Sequence, residues 1–191
     1  MTRAAYRKAD VVKADLLDAT VELLSQRPAA QVTVRAIAER AGVQHSMVSR
    51  HFGSKANLVA AAVESVASQY ASVVANAADP AEGFVLGLQH LRGAPSTALV
   101  LTAPAGVRGG QDEAERFPGF AAHLRALRDA GQPDDERTKV LAGLSISMVI
   151  AWSAMRDIAV DAAGIDRDDL PRVDALAAEM VEGMVRSQLR G

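Results

Sequence analysis

No cysteine occurs in the 191 residues. A disulfide frame, a thiolate metal site and a cysteine nucleophile are thereby excluded. Aromatic residues make up only 4% of the chain. β-branched runs flanked by turn residues are scarce, which argues against a sheet protein. The amino terminus lacks a charged segment followed by an apolar stretch, so no signal peptide is expected. The longest nearly apolar run, 140–152, is short for a bilayer span, and no membrane partner is expected. Paired carboxylates in a motif, a nucleophile elbow, a glycine-rich phosphate loop after a strand and a metal-spaced histidine pair are all missing, so neither an enzyme nor a cofactor is expected. The cytoplasm is the expected compartment.

What is present is alanine, the best helix former, within a hydrophobic content of 49%. The expectation is an all-α protein. Net charge is −2, but it is unevenly spread. The first 60 residues hold nine Lys/Arg against five acids, a net of +4, which leaves −6 on the remainder. A basic head on an acidic body suits one end docking on a polyanion.

Helical periodicity places a first helix over 10–26, with Val12, Leu16, Ala19 and Leu23 on one face, after a basic arm at 1–8. Thr33 is a good N-cap for a second helix whose inner stripe is Val34, Ile37, Ala38 and Ala41. Gly42 is its left-handed stop. A short third helix over 45–51 points Val48 and Phe52 inward. Ser54 caps a fourth helix that reaches toward residue 78. Further helices are expected around 84–91, 96–103, 120–130, 135–159 and 173–189, with loops at 104–119 and 161–171.

A helix, a glycine turn and a short helix make a helix-turn-helix, in which the second helix enters a major groove and the first braces it. His45, Ser46, Ser49 and Arg50 face outward if Val48 and Phe52 face inward. Arg50 is the candidate for base readout, because a guanidinium pairs bidentately with guanine O6 and N7. His45, Ser46 and Met47 are candidates for other base edges or a thymine methyl. Thr33, Arg35, Ser49, His51 and Lys55 are candidates for phosphate contacts. The partner is then a double-stranded DNA operator, and a (pseudo)palindromic operator calls for a two-fold protein.

The segment TVRAIAERAGVQHSMVSRHFGSKANL, residues 33–58, resembles the TetR family of bacterial regulators through Thr33, Ile37-Ala38, Ala41-Gly42-Val43, His51-Phe52, Ser54-Lys55 and Leu58. The resemblance is specific over 10–66 and architectural beyond. It implies a homodimer, a ligand pocket in each C-terminal body and usually repression. Domains are expected at 1–58, for DNA binding, and 59–191, for ligand binding and dimerisation, with a helix at 54–78 shared between them. Where the family usually has tyrosine this chain has Ser49, and Ser46 and Ala56 depart from the usual glycine and glutamate.

In the C-terminal body, Phe84, Leu88, Leu91, Phe117, Phe120, Leu124, Met148 and Trp152 are candidate lining for an apolar pocket, though such a stripe is more often an ordinary core. His90, Arg92, His123 and Arg125 are its candidate polar groups. A mostly apolar small molecule is the expected ligand. Gly143, Ser147, Ala151 and Ala154 form a small-residue row suited to close helix approach, and Val173, Leu176, Met180 and Met184 recur at helical spacing. These eight are the dimer-interface candidates. A helix-turn-helix regulator controlled by a protein partner, with no small ligand, is the alternative reading.

Overall fold

In a computed structural model, the structure describes residues 9–91 and 117–189. The chain forms two compact units, Met1–Val66 and Ala67–Gly191. Every regular element among the described residues is helical. The expected arm at 1–8, the helix at 96–103 and most of the loop at 104–119 lie outside the described residues.

In the first unit, α1 spans Ala9–Gln26 and buries Val12, Leu16, Ala19 and Leu23, the face its spacing predicts. A short 3₁₀ turn, Ala29–Gln31, follows Pro28. Val32 beside it is fully buried. α2 spans Val34–Ala41. Thr33 caps it by accepting from the Ala36 amide at 3.1 Å, which satisfies one of the orphan donors of the first turn. Gly42 stops it at φ 66, a left-handed conformation that glycine adopts at no steric cost. The Val43 amide then donates back to the Ala38 carbonyl at 3.0 Å. α3 spans Ser46–Phe52, a register one residue later than expected. α4 spans Lys55–Ala75 and supplies residues to both units.

In the second unit, α5 spans Pro80–Leu91. α6 spans Pro118–Asp129. α7 spans Glu136–Ala162. α8 spans Leu170–Leu189. α5 packs against α6, α7 and α8, and α6 packs against α7. The core of this unit includes Ala67, Tyr70 and Val74 of α4, Phe84, Leu88 and Leu91 of α5, and Leu127 of α6.

Other boundaries also differ from the sequence expectation, at helix ends: α5 starts at Pro80, four residues early. Pro118 and Gly119 belong to α6, not to a loop. α8 starts at Leu170, so Pro171 lies in its first turn and not in the connector. Proline fits there, because first-turn amides have no intrahelical acceptor to lose. α7 runs three residues past its expected end, to Ala162. That length also amends the expectation about spans. α4 and α7 each contain an 18-residue window of mean hydropathy 1.4, long and apolar enough to cross a bilayer by composition alone. The inner side of α4 is spent on protein, through Leu58, Ala62, Val63, Val66, Ala67, Tyr70 and Val74.

Candidate functional site

α3 is held with one face in and one out. Val48 is buried at 1% exposure, and Phe52 is half-buried. Helical geometry then turns Ser46, Ser49 and Arg50 to solvent, and His45 precedes them, exposed at the N-cap position. Met47 and His51 are half-buried at the flanks of that face. Arg50 has no hydrogen-bond or ion-pair partner among the described residues, so its whole guanidinium fork is available.

The other DNA candidates are more committed. The Thr33 hydroxyl serves as the α2 cap. Arg35 donates to Glu39 at 2.9 Å, one turn on along α2, in a pair exposed on both sides. Lys55 donates to the Ala29 carbonyl at 2.8 Å, which leaves two of its three ammonium protons for another acceptor. Sequence reasoning missed two groups that hold the unit together. Arg40 of α2 forks onto both carboxylate oxygens of Glu22 of α1. Asn57 donates to the Phe52 carbonyl at 2.9 Å and locks the turn between α3 and α4. The first joins residues 18 apart, and the second spans a turn at a spacing of five that helical periodicity does not mark.

The pocket candidates fall into separate environments. Phe84, Leu88 and Leu91 line the buried side of α5. Leu124 lies in a packed cluster with Leu127 and Ala142, against which Phe120, Leu141 and Leu189 also pack. Phe117 is 42% exposed. Met148 and Trp152 are half-buried, and the Trp152 indole donates to Asp174 of α8 at 3.1 Å. Asp174 also accepts a hydrogen bond from the Arg156 guanidinium at 3.1 Å, so a carboxylate exposed by only 3% ties α7 to α8. Of the polar candidates, Arg92 lies outside the described residues. His90 is exposed, and Arg125 lines a cavity of about 240 Å³ with Val74, Asp79, Ala122 and Asp129.

His123 is different, because it is buried in the middle of α6 at 1% exposure. Its Nε2 lies 2.7 Å from the Tyr70 hydroxyl, itself fully buried. Its ring stacks on Phe84 with centroids 4.0 Å apart and planes at 6°. Burial pulls the imidazole down to about 3 and pushes the Tyr70 phenol up, so both groups are neutral near pH 7. His123 Nδ1 is buried with no hydrogen-bond partner among the described residues. Among the described residues, no group of three or more metal-ligating side chains comes together.

The outer side of α7 and α8 carries large apolar residues in the open. Val140, Leu144, Met155, Ile158, Leu176, Met180 and Met184 are between 39% and 74% exposed. Ser147, Ala151 and Ala154 are exposed among them. Two interface candidates lie elsewhere. Val173 is buried at 8% within its own unit. Gly143 is half-buried and turns toward Phe120, whose Cε2 would be 3.8 Å from an added Cβ.

Residues 16–62 match the family described as Bacterial regulatory proteins, tetR family. Over 155 residues, 81% of this chain and 79% of the relative, the sequence is 28% identical to an HTH-type transcriptional repressor of Mycobacterium tuberculosis. It is equally similar, 28% over 155 residues, to an HTH-type transcriptional regulator of Mycobacterium bovis. Among solved structures, it resembles a tetR family transcription regulator from Shewanella with a TM-score of 0.63 at 14% identity, covering 96% of both chains. It also resembles a TetR variant from Acinetobacter baumannii in complex with minocycline, with a TM-score of 0.58 at 19% identity, covering 92% of this chain and 94% of that one.

Proposed function

We propose that this chain, a TetR-family helix-turn-helix transcriptional regulator, is a homodimeric repressor that a small, mostly apolar molecule releases from its operator. The observation that carries the reading is the outward face of α3. A buried valine anchors a short helix whose exposed side offers serines and an unpaired arginine, the chemistry of major-groove entry.

In this reading Arg50 pairs with a guanine. His45, Ser46 and Met47 meet the neighbouring base edges. Thr33, Arg35, Ser49, His51 and Lys55 face phosphates. Arg35 keeps its charge beside Glu39, and that exposed pair is weak enough to be exchanged for a phosphate. Ser49, in place of the family's usual tyrosine, makes a shorter contact with less apolar surface. The functional boundary falls near residue 58, with 59–191 serving ligand binding and dimerisation and α4 shared between the two roles. The working compartment is the cytoplasm, where the operator is.

The exposed apolar side of α7 and α8 supports the dimer. Seven large apolar side chains left in water on two helices have the character of an interface patch. Pairing them across a two-fold axis makes a four-helix bundle that sets the spacing of the two recognition helices. The buried Tyr70–His123 pair within an apolar unit supports the ligand. The buried cluster of Leu124, Leu127 and Ala142, with Phe120, Leu141 and Leu189 packed on it, supports the second reading, in which a protein partner controls the regulator.

Selection of bound DNA from a random pool tests the proposal. A two-fold symmetric site is expected, and its occupancy is expected to fall on addition of an apolar compound that the protein binds. Recovery of an unsymmetrical site overturns the dimeric reading. Insensitivity of DNA binding to every bound small molecule overturns the ligand-controlled one.

A further inference from the structure

We infer that the Nδ1–H of His123 is the anchor for a neutral ligand that presents a carbonyl-type oxygen on an otherwise apolar frame. The inference rests on the reading of the helical body as ligand-binding.

The tautomer follows from counting hydrogen-bonding groups. The sole partner of the Tyr70 hydroxyl among the described residues is His123 Nε2, at 2.7 Å. With the proton on Nδ1, the phenol donates to Nε2 and a single orphan remains, the Nδ1–H. With the proton on Nε2, the phenol proton and the Nδ1 lone pair are both left without partners. A buried polar group without a partner carries its full desolvation penalty. The first arrangement leaves one such group and the second leaves two, so Nδ1 is the donor.

That donor is held in place. The ring lies flat against Phe84. Tyr70 lies close against glycines on two neighbouring helices. A Cβ at Gly87 would lie 2.6 Å from the Tyr70 oxygen, and one at Gly119 would lie 3.0 Å from its ring. Both side chains are buried, and the imidazole cannot flip without breaking its bond to the phenol.

The acceptor it suits is neutral. The imidazole is uncharged near pH 7, because burial holds its pKa at about 3. Tyr70 and Phe84, which touch the ring, are uncharged too. A carboxylate buried here would lack a counter-charge, which is costly. A ketone, ester or amide oxygen satisfies the orphan donor without that cost. A hydrocarbon of the same size leaves it unsatisfied.

The test uses the full-length, ¹⁵N-labelled chain and three size-matched probes: acetophenone, ethylbenzene and benzoate. Long-range ¹H–¹⁵N spectra of the histidine rings are expected to show His123 protonated at Nδ1. Acetophenone is expected to move that resonance and to bind at least about ten-fold more tightly than ethylbenzene, and benzoate not to bind. His123→Phe should bind acetophenone and ethylbenzene alike. If that variant does not fold, the wild-type tautomer and the three titrations still decide the matter.

A proton on Nε2 overturns the inference. So does equal affinity for acetophenone and ethylbenzene, tighter binding of benzoate, or a His123 signal that no probe moves. Operator binding measured in parallel separates this inference from the functional reading beneath it. Acetophenone held at His123 with DNA binding unchanged overturns ligand control alone. Release of DNA by ethylbenzene with the His123 signal unmoved overturns the anchor alone.

Discussion

At the scale of single residues, Arg50 and His123 are the two side chains whose chemistry is most open to test. Arg50 is exposed, and has no partner among the described residues, on the face that Val48 leaves outward. Arg50→Ala is expected to cost about 1–3 kcal/mol of operator binding and to relax preference at one base pair. Binding measured across operator variants checks it, because an equal loss on every sequence would assign Arg50 to phosphate. His123 gives a stability prediction with a defined sign. Unfolding exposes an imidazole that titrates at its ordinary value of 6.5, while the folded ring stays neutral down to about 3. Between those values the unfolded chain binds more protons, so acid destabilises the fold. Stability from this group is complete above pH 6.5 and is lost progressively toward pH 3, at up to roughly 1.4 kcal/mol per pH unit. Urea unfolding at pH 7, 6 and 5 should show the decline. His123→Phe should remove about one proton's worth of it. An unchanged slope in the variant would mean that some other group binds the proton.

At the scale of elements, helix ends and helix contacts are set by different physics. The stop of α2 at Gly42 and its start at Thr33 are local, and each works through the backbone of its own turn. The packing of α5 on α4 is not local. Gly87 lets the Tyr70 ring approach closer than any Cβ permits. In a helix interior, Gly→Ala ordinarily stabilises by about 1 kcal/mol. Here the added methyl meets the Tyr70 hydroxyl oxygen at 2.6 Å and a ring carbon at 2.9 Å, on a side chain that is fully buried. Overpacking at about 1–3 kcal/mol outweighs the propensity gain. Gly87→Ala should therefore lower the melting temperature, and Gly87→Ala with Tyr70→Phe should recover part of the loss. A rise in melting temperature for the single variant would show that Tyr70 moves freely.

At the scale of the whole molecule, the question is how two copies meet. Met180 is 74% exposed and Leu144 is 60% exposed, on α8 and α7. Met180→Glu would place a charge at the centre of the proposed bundle, and twice over in a symmetric dimer. Sedimentation is expected to show a dimer for the wild type at micromolar concentration and a monomer for the variant. The monomer should lose the full operator but keep weak, salt-sensitive DNA binding, because two recognition helices must sit about 34–36 Å apart, or a multiple of that, to read both halves. A variant that stays dimeric with full affinity would take this face out of the interface. Gly143 is a poorer probe than its place in the small-residue row implies, since it turns toward Phe120 of its own unit.

The sequence by itself determined what depends on near neighbours along the chain. The buried stripe of α1, the cap at Thr33, the left-handed Gly42 and the inward Val48 that turns Ser49 and Arg50 outward all follow from helical spacing and turn chemistry. So does the resemblance of 33–58 to one family of regulators. Tertiary structure alone decided which apolar residues are core and which are surface. Leu88 and Leu144 both sit at helical spacing in apolar stripes, yet one is 2% exposed and the other 60%. The pattern says that a helix has an apolar face, but what covers the face depends on elements distant in sequence. The same holds for His123. It was one of four polar candidates, and what sets it apart is a tyrosine 53 residues away that occupies one ring nitrogen and leaves the other without a partner. Hydrogen-bond satisfaction in a core is a property of the packed whole, and no local spacing encodes it.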